Sequence, residues 1–220
     1  MSCFKPYLCL AAKKGGGILQ SPRALQKRHK STKGMTINMK IFIASDIHGS
    51  ALWCRRMLER FAASEADRLL LLGDILYHGP RNELPGGYAP KEVIAMLNPL
   101  ADKILCVRGN CEAEVDQMVL DFPVMADYIG IFDGKLSVYA THGHLWGEDK
   151  PLPACRGSVL LCGHTHVSKY ADHSSYIYMN PGSVSIPKEN TPHGYMLYGD
   201  GLFTWYDLES GAAYMTKRLC

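Results

Sequence analysis

The chain has 220 residues, of which 47% are apolar, and this is enough for one sizeable globular domain. No apolar run approaches the roughly 18 residues that a membrane-spanning helix needs, so the sequence predicts no membrane partner. Residues 1–38 hold eight of the 24 basic side chains and no acid, so the remainder is mildly acidic and offers nucleic acid little attraction.

The first 38 residues differ in character from the rest of the chain. They combine Gly15-Gly16-Gly17 with a cationic run at 27–30 and show no sustained hydrophobic periodicity. This pattern predicts a disordered basic leader, or an upstream start, ahead of a domain that spans 39–220. An acid-free leader is also typical of an organellar transit peptide. We expect a chain that starts at Met39 to fold and turn over like the full chain.

From residue 39 the chain alternates between predicted strands and helices. The strands are predicted at 40–45, 68–72 and 103–107, and the helices at 51–64, from about Pro90, and at 112–120. This order predicts parallel strands joined by right-handed crossovers.

After about residue 124 the pattern changes to hairpins. Asp133-Gly134 and Asp200-Gly201 each separate two apolar segments, and an Asp-Gly pair in this setting is typical of a tight hairpin turn. Further strands are predicted at 158–162, 168–171 and 176–179. Many strands with helices in the first half indicate an α/β fold, a two-layer β-sandwich flanked by helices.

The eight cysteines do not form a disulfide framework in the sequence. There is no CxxC pair, and several cysteines lie in or beside apolar runs, where a free thiol behaves as a small buried hydrophobe. This distribution favours reduced thiols and a cytoplasmic protein.

Five short polar blocks follow apolar runs, namely SDIHG (45–49), LGD (72–74), RGN (108–110), THGH (141–144) and GHTH (163–166). Taken singly, each has a commoner interpretation, because Asp caps helices, Gly-Asp and Gly-Asn form turns, and a lone His is usually structural. Together they supply the carboxylate, amide and imidazole groups of a two-metal site, which indicates a metal-dependent phosphoesterase. The candidate ligands are Asp46, His48, Asp74, Asn110, His142, His164 and His166.

The set D-x-H, G-D, G-N, G-H and G-H-x-H resembles the calcineurin-like metallophosphoesterase superfamily. Residues 39–219 are similar to its YfcE-type bacterial phosphodiesterase branch. The similarity extends over three segments of this chain, GPRNELPGGYAP, RGNCEAEVDQM and NPGSVSIPK. The resemblance implies an αββα fold. It also implies one metal on Asp46, His48 and His166, a second on Asn110, His142 and His164, and Asp74 as the bridge.

Such a site permits in-line attack on phosphorus by a hydroxide that bridges two divalent cations. The ligand types favour Mn²⁺, with Fe, Zn, Ni or Co as alternatives. We therefore predict hydrolysis of small or activated phosphodiesters. A phosphomonoesterase remains an alternative, as does a non-catalytic scaffold that binds partner proteins, because the retromer subunit with this fold resembles this branch. Relatives of this kind often associate, which leaves a homo-oligomer open.

Asn110 is expected to touch the substrate phosphate as well as a metal, which makes it a catalytic candidate. Four further residues are candidates for the reaction. The superfamily commonly has His after Gly-Asn, but this chain has Cys111, as the resemblance to the YfcE branch implies; the thiol either has a catalytic role or fills space at a helix start. His144 either orients a neighbouring ligand or contacts substrate. His78 and Arg81 lie in the long loop 77–90 and either face the substrate phosphate or lie in solvent.

Overall fold

Eleven strands and three α-helices make up the part of the chain that the computed structural model describes, residues 39–134 and 136–219. The predicted basic leader at 1–38 lies outside the described residues. The strands are β1 (Ile41–Ala44), β2 (Arg68–Leu71), β3 (Ile104–Cys106), β4 (Tyr128–Phe132), β5 (Ser137–Thr141), β6 (Val159–Leu161), β7 (Ser168–Asp172), β8 (Ile177–Pro181), β9 (Gly194–Gly199), β10 (Leu202–Asp207) and β11 (Ala213–Arg218). The α-helices are α1 (Ala51–Ser64), α2 (Pro90–Leu97) and α3 (Glu114–Val119), and short 3-10 helices span Asn98–Lys103 and Pro153–Cys155.

The strands form two mixed sheets. The first has the order β11-β10-β9-β1-β2-β3, and the second has the order β4-β5-β6-β8-β7. In the first sheet β1, β2 and β3 are parallel, and in the second β5, β6 and β8 are parallel. The two predicted hairpins are confirmed, because β4 pairs antiparallel with β5 and β9 pairs antiparallel with β10.

Local sequence signals explain where α1 begins and which face it buries. The Ser50 hydroxyl accepts the Trp53 N–H at 3.3 Å, which caps the helix and fixes its first turn directly after the β1 loop. Trp53, Met57 and Phe61 recur at helical spacing and are buried. α2 starts with Pro90, as predicted, since its fixed φ suits the first helical position.

Alternating side chains divide the apolar residues into three layers. Phe42 and Leu71 face the helices, whereas Ile43 and Leu70 face the second sheet. The outer face of the second sheet packs Leu160 beneath the segment that carries the 3-10 helix Pro153–Cys155. The fold is therefore the predicted α/β sandwich of two sheets with flanking helices. No helix among the described residues is long and apolar enough to cross a membrane.

Candidate metal centre

All seven predicted ligands lie beyond the carboxyl ends of parallel strands, and the structure brings them together at one edge of the sandwich. Asp46 and His48 follow β1, Asp74 follows β2, Asn110 follows β3, His142 follows β5, and His164 and His166 follow β6. Parallel strands of both sheets end at this edge, and this is the usual place for polar groups that act together.

One cluster of donor atoms surrounds His48. Its Nε2 atom lies 3.2 Å from His166 Nε2, 3.6 Å from Asp46 Oδ1 and 3.7 Å from Asp74 Oδ2. His166 Nε2 is in turn 3.3 Å from Asp46 Oδ1. Two imidazoles and two carboxylates therefore converge on one small volume.

A second cluster surrounds His142. Its Nε2 atom lies 3.1 Å from Asn110 Oδ1, 3.2 Å from His164 Nδ1 and 3.4 Å from Asp74 Oδ2. Since Asp74 Oδ2 also lies 3.7 Å from His48 Nε2, this single carboxylate oxygen faces both clusters. The arrangement places Asp74 where the resemblance expected a bridging ligand.

Backbone carbonyl groups determine which nitrogen of each ring carries a proton. The Nδ1–H groups of His48, His142 and His166 donate to the carbonyl oxygens of Tyr77 (2.8 Å), Leu72 (2.6 Å) and Ile186 (2.8 Å). In each neutral ring the Nε2 atom is then a lone-pair acceptor that points into its cluster.

This donor set fits divalent cations. In the neutral rings, His48 Nε2 and His166 Nε2 are two acceptors that face each other. Asp46 Oδ1 is buried and has no hydrogen-bond partner among the described residues. Acceptors without donors are costly to bury, and a cation in their midst would satisfy them together.

Electrostatics in the clusters also favour cations. Burial opposes ionisation of Asp46, but His166 and His48 outweigh it and hold the pKa of that carboxyl well below its usual range. Burial likewise opposes protonation of His142, yet Asp74 and Asp46 raise the pKa of that ring to about 9. Burial and His142 lower the pKa of His164 to about 4, so His164 is neutral at neutral pH. The negative potential that attracts a proton to His142 also attracts a metal ion.

The backbone is strained at five of the seven positions. Left-handed φ angles of 59°, 49°, 54°, 68° and 62° occur at Asp46, His48, Asp74, His164 and His166. Such conformations are uncommon outside glycine and cost on the order of 1–3 kcal/mol each, so the surrounding structure must hold them. Part of that support is visible at Asp46, whose carbonyl oxygen accepts the Ser183 and Ser185 hydroxyls at 2.9 and 3.0 Å.

Glu112 is a residue of this edge that the sequence reasoning missed. Its buried carboxylate accepts the backbone N–H groups of Asp74 (2.9 Å), Ile75 (2.7 Å) and Gly109 (2.5 Å). Burial and the charge of Asp74 raise the pKa of Glu112 to about 7, against the N–H groups that favour the carboxylate. Glu112 thus ties the loop that carries Asp74 to the loop that carries Asn110.

Two glycines permit the close approach of these loops. A Cβ atom on Gly109 would collide with Asp74 Oδ1, and one on Gly163 would collide with Ser45 Oγ and lie 2.8 Å from Asp46 Oδ2. Gly163 therefore lets the β6 loop approach the β1 loop. There His164 N–H donates to Asp46 Oδ2 at 3.1 Å and links the two sheets.

Both the backbone N–H and the thiol of Cys111 contact residues of the centre. Its N–H donates to Asp74 Oδ1 at 2.9 Å, and Asn110 Nδ2 donates to its sulfur at 3.3 Å. Burial and the charge of Asp74 raise the pKa of the thiol, so it stays protonated at neutral pH and is a weak nucleophile and proton donor. Five cysteines lie among the described residues, and all five are free thiols: Cys54, Cys106, Cys111, Cys155 and Cys162.

The three predicted substrate-binding residues occupy different positions around the centre. Arg81 lines a cavity of about 320 Å³ together with Asp74 and His166. His144 lines a neighbouring cavity of about 360 Å³, and its ring centroid is 5.4 Å from that of His142. His78 packs edge-on against Tyr77 and Tyr88, and its buried Nδ1 has no hydrogen-bond partner among the described residues.

Further positioning groups were also missed. The side chain of buried Asn180 donates from Nδ2 to the Gly163 carbonyl oxygen at 2.7 Å. The backbone carbonyl oxygen of Asn180 accepts Trp205 Nε1–H at 2.7 Å. Lys188 lines the same cavity as Arg81. Asn180 and Lys188 both lie in the segment NPGSVSIPK, which contributes to the resemblance but by itself indicates no role for these side chains.

Comparisons with known proteins show which family the chain resembles. A profile of the calcineurin-like phosphoesterase superfamily domain matches residues 39–199. The chain is 49% identical to phosphodiesterase YfcE of Escherichia coli K12 over 166 residues, which are 74% of this chain and 90% of that protein.

Solved structures show the same fold. The structure of YfcE, a phosphoesterase from E. coli, matches with a TM-score of 0.80 at 42% identity and covers 83% of this chain and 100% of that chain. Vps29 of Entamoeba histolytica complexed with Zn²⁺ matches with a TM-score of 0.55 at 21% identity and covers 82% of this chain and 98% of that chain. The likeness to Vps29 concerns the fold alone.

Proposed function

Because the chain belongs to the calcineurin-like phosphoesterase superfamily, we propose that it hydrolyses small or activated phosphodiesters with two divalent metal ions. The E. coli relative is named a phosphodiesterase, and it shares 49% of the residues over the aligned 166. Mn²⁺ is the proposed metal, since the donors are carboxylate, amide and imidazole groups. The free thiols support a cytoplasmic location.

The observation that carries the proposal is the position of Asp74. One of its carboxylate oxygens lies 3.7 Å from His48 Nε2 and 3.4 Å from His142 Nε2, between two clusters that each contain further side chains able to bind a metal. A single carboxylate shared in this way suits two cations about 3.5–4 Å apart. Asp46, His48 and His166 would hold the first, and Asn110, His142 and His164 the second.

The chain's own residues have defined tasks in this reaction. When bound, the cations supply a water of lowered pKa as nucleophile and neutralise the charge that develops on the phosphoryl oxygens. The carbonyls of Tyr77, Leu72 and Ile186 fix the orientation of three imidazoles. Asn110 offers a neutral amide at the substrate side of its cluster, and Cys111 fills the adjoining space with a protonated thiol. Proton donation to the leaving group is therefore the weak step.

The two alternatives predict different results in one experiment. The protein is stripped of metal, reloaded with Mn²⁺ and given bis(4-nitrophenyl) phosphate and 4-nitrophenyl phosphate in parallel. We expect the diester to be hydrolysed faster and only after reloading. Preference for the monoester would favour the phosphomonoesterase alternative.

A matched pair of variants completes the test. Asp74→Asn keeps the size of the side chain but removes the shared charge, whereas Asp102→Asn changes an exposed carboxylate in a 3-10 helix. Loss of diester hydrolysis in the first variant alone supports the proposal. A metal-loaded protein that hydrolyses neither ester would contradict it and favour a scaffold that binds partner proteins.

A further inference from the structure

Two cavities adjoin the candidate centre and share His164 and Thr165 in their lining, but different charged side chains complete each lining. The first, of about 320 Å³, is lined by Arg81 and Lys188 together with residues of the centre. The second, of about 360 Å³, is lined by Glu148, Asp149 and Lys150, and Glu148 Oε2 is paired with Lys169 Nζ at 2.7 Å. We name the first the cationic cavity.

The segments that carry the two cations are anchored to metal-cluster histidines. Tyr77 accepts His48 Nδ1–H at 2.8 Å, and Asn82, next to Arg81, donates back to the His78 carbonyl oxygen at 2.9 Å. On the other side of the cavity, Lys188 N–H donates to the His166 carbonyl oxygen at 3.0 Å. Both cations therefore belong to the side of the centre that contains His48 and His166.

Neither cation is neutralised by the protein. Among the described residues, Arg81 and Lys188 form no ion pair or side-chain hydrogen bond, and Asp74 is the one carboxylate among the residues that line the cationic cavity. Asp74 is committed to the two histidine clusters. Two unpaired, exposed cationic side chains are thus available to an anion that occupies this cavity.

The scissile phosphate does not need these charges. A diester carries one negative charge. Two divalent cations held by Asp46 and Asp74 would retain two positive charges, of which a hydroxide nucleophile would balance one and the diester the other. The positive charge of Arg81 and Lys188 is additional to that balance. A guanidinium and an ammonium that line one cavity from two segments of the chain suit a phosphate or carboxylate group.

We propose that Arg81 and Lys188 form a subsite for a second anionic group of the substrate, so that the preferred diester carries a phosphate or carboxylate on one substituent. This inference rests on the proposed phosphodiesterase function.

Two nitrophenyl diesters that share a leaving group test the subsite. They are 4-nitrophenyl phenyl phosphate and 4-nitrophenyl 4-carboxyphenyl phosphate, which differ by one carboxylate on the retained substituent. We expect a lower KM for the carboxylated ester and a similar kcat. In Arg81→Gln and in Lys188→Gln, that preference should fall roughly twofold to fivefold each, the usual range for a solvent-accessible ion pair. Lys91→Gln removes an exposed cation elsewhere and should keep the preference.

Binding without reaction gives a second readout. Diphenylphosphinate and (4-carboxyphenyl)phenylphosphinate have no ester bond, so calorimetry measures their affinity for the metal-loaded protein directly. Tighter binding of the carboxylated ligand that is lost in the Arg81 and Lys188 variants supports the subsite. Equal affinities, or an equal loss in Lys91→Gln, would overturn it. If neither ester is hydrolysed, the proposed function fails, and the phosphinate titration still decides the subsite.

Discussion

Removing the Glu112 carboxylate tests how the centre is held in shape. In Glu112→Ala, the N–H groups of Asp74, Ile75 and Gly109 lose their acceptor in a buried place. An unsatisfied buried donor costs about 1–3 kcal/mol, so three would cost about 3–9 kcal/mol if none found another partner. Water entering the vacated space replaces some of these bonds, and we expect a loss of about 3 kcal/mol in the free energy of unfolding.

The isosteric variant gives a smaller and separate effect. In Glu112→Gln, the amide oxygen can still accept from Asp74 and Gly109, which share Oε2, but its NH₂ group then faces the Ile75 N–H. One lost acceptor corresponds to about 1–3 kcal/mol. Glu114→Ala is the matched control, because Glu114 is exposed in the first turn of α3, and it should change stability by less than about 0.5 kcal/mol.

Two measurements separate general stability from positioning of the ligands. Urea unfolding of the metal-free proteins gives the free energies, and calorimetric Mn²⁺ titration gives the affinities. Residues that support metal ligands typically change affinity about 10–100-fold, and we expect Glu112→Gln in that range with kcat recovered at saturating metal. Unchanged stability and unchanged Mn²⁺ affinity in Glu112→Ala would refute the reasoning.

Three other substitutions probe the centre itself. Asp74→Asn should lower kcat/KM more than Asn110→Ala, since Asp74 faces both clusters; steady-state kinetics with added Mn²⁺ decides, and the reverse order would count against a shared ligand. Cys111→Ala should leave nitrophenyl ester hydrolysis largely intact, and Cys111→His should raise turnover modestly, more for poor leaving groups, because imidazole with a pKa of about 6.5 is the better proton donor. Loss of hydrolysis in Cys111→Ala at full metal occupancy would show that the thiol takes part. Gly163→Ala should lower the melting temperature by several degrees, because its Cβ meets Ser45 Oγ and Asp46 Oδ2; an unchanged melting curve would contradict that close packing.

Apolar segments followed by short polar blocks were enough to predict the strands that position the centre and the residues at the ends of those strands. The apolar segments at 40–45, 68–72 and 158–162 became buried strands β1, β2 and β6, and the polar residues after them lie together at one edge. Strand boundaries moved by one or two residues. The predicted strand at 103–107 is shorter, Ile104–Cys106, because Lys103 closes a 3-10 helix.

Contacts between distant segments could not be predicted from local patterns. Glu112 follows Cys111 in a polar stretch that resembles any helix start, and its role depends on N–H groups more than 30 residues away. The antiparallel pairing of β9 with β1 likewise joins segments at opposite ends of the domain. Left-handed conformations at Asp46 and His48 could not be assigned from residue type, because Asp and His adopt them more often than most residues but still rarely.

The central claim is that the seven converging side chains hold two divalent ions and that hydrolysis depends on them. The most direct measurement is the metal content per chain of the Mn²⁺-reloaded protein, by mass spectrometry, beside its rate on bis(4-nitrophenyl) phosphate and that of the chelator-treated protein. We predict two ions per chain and a rate that disappears when they are removed. Full turnover by the metal-free protein would contradict the account.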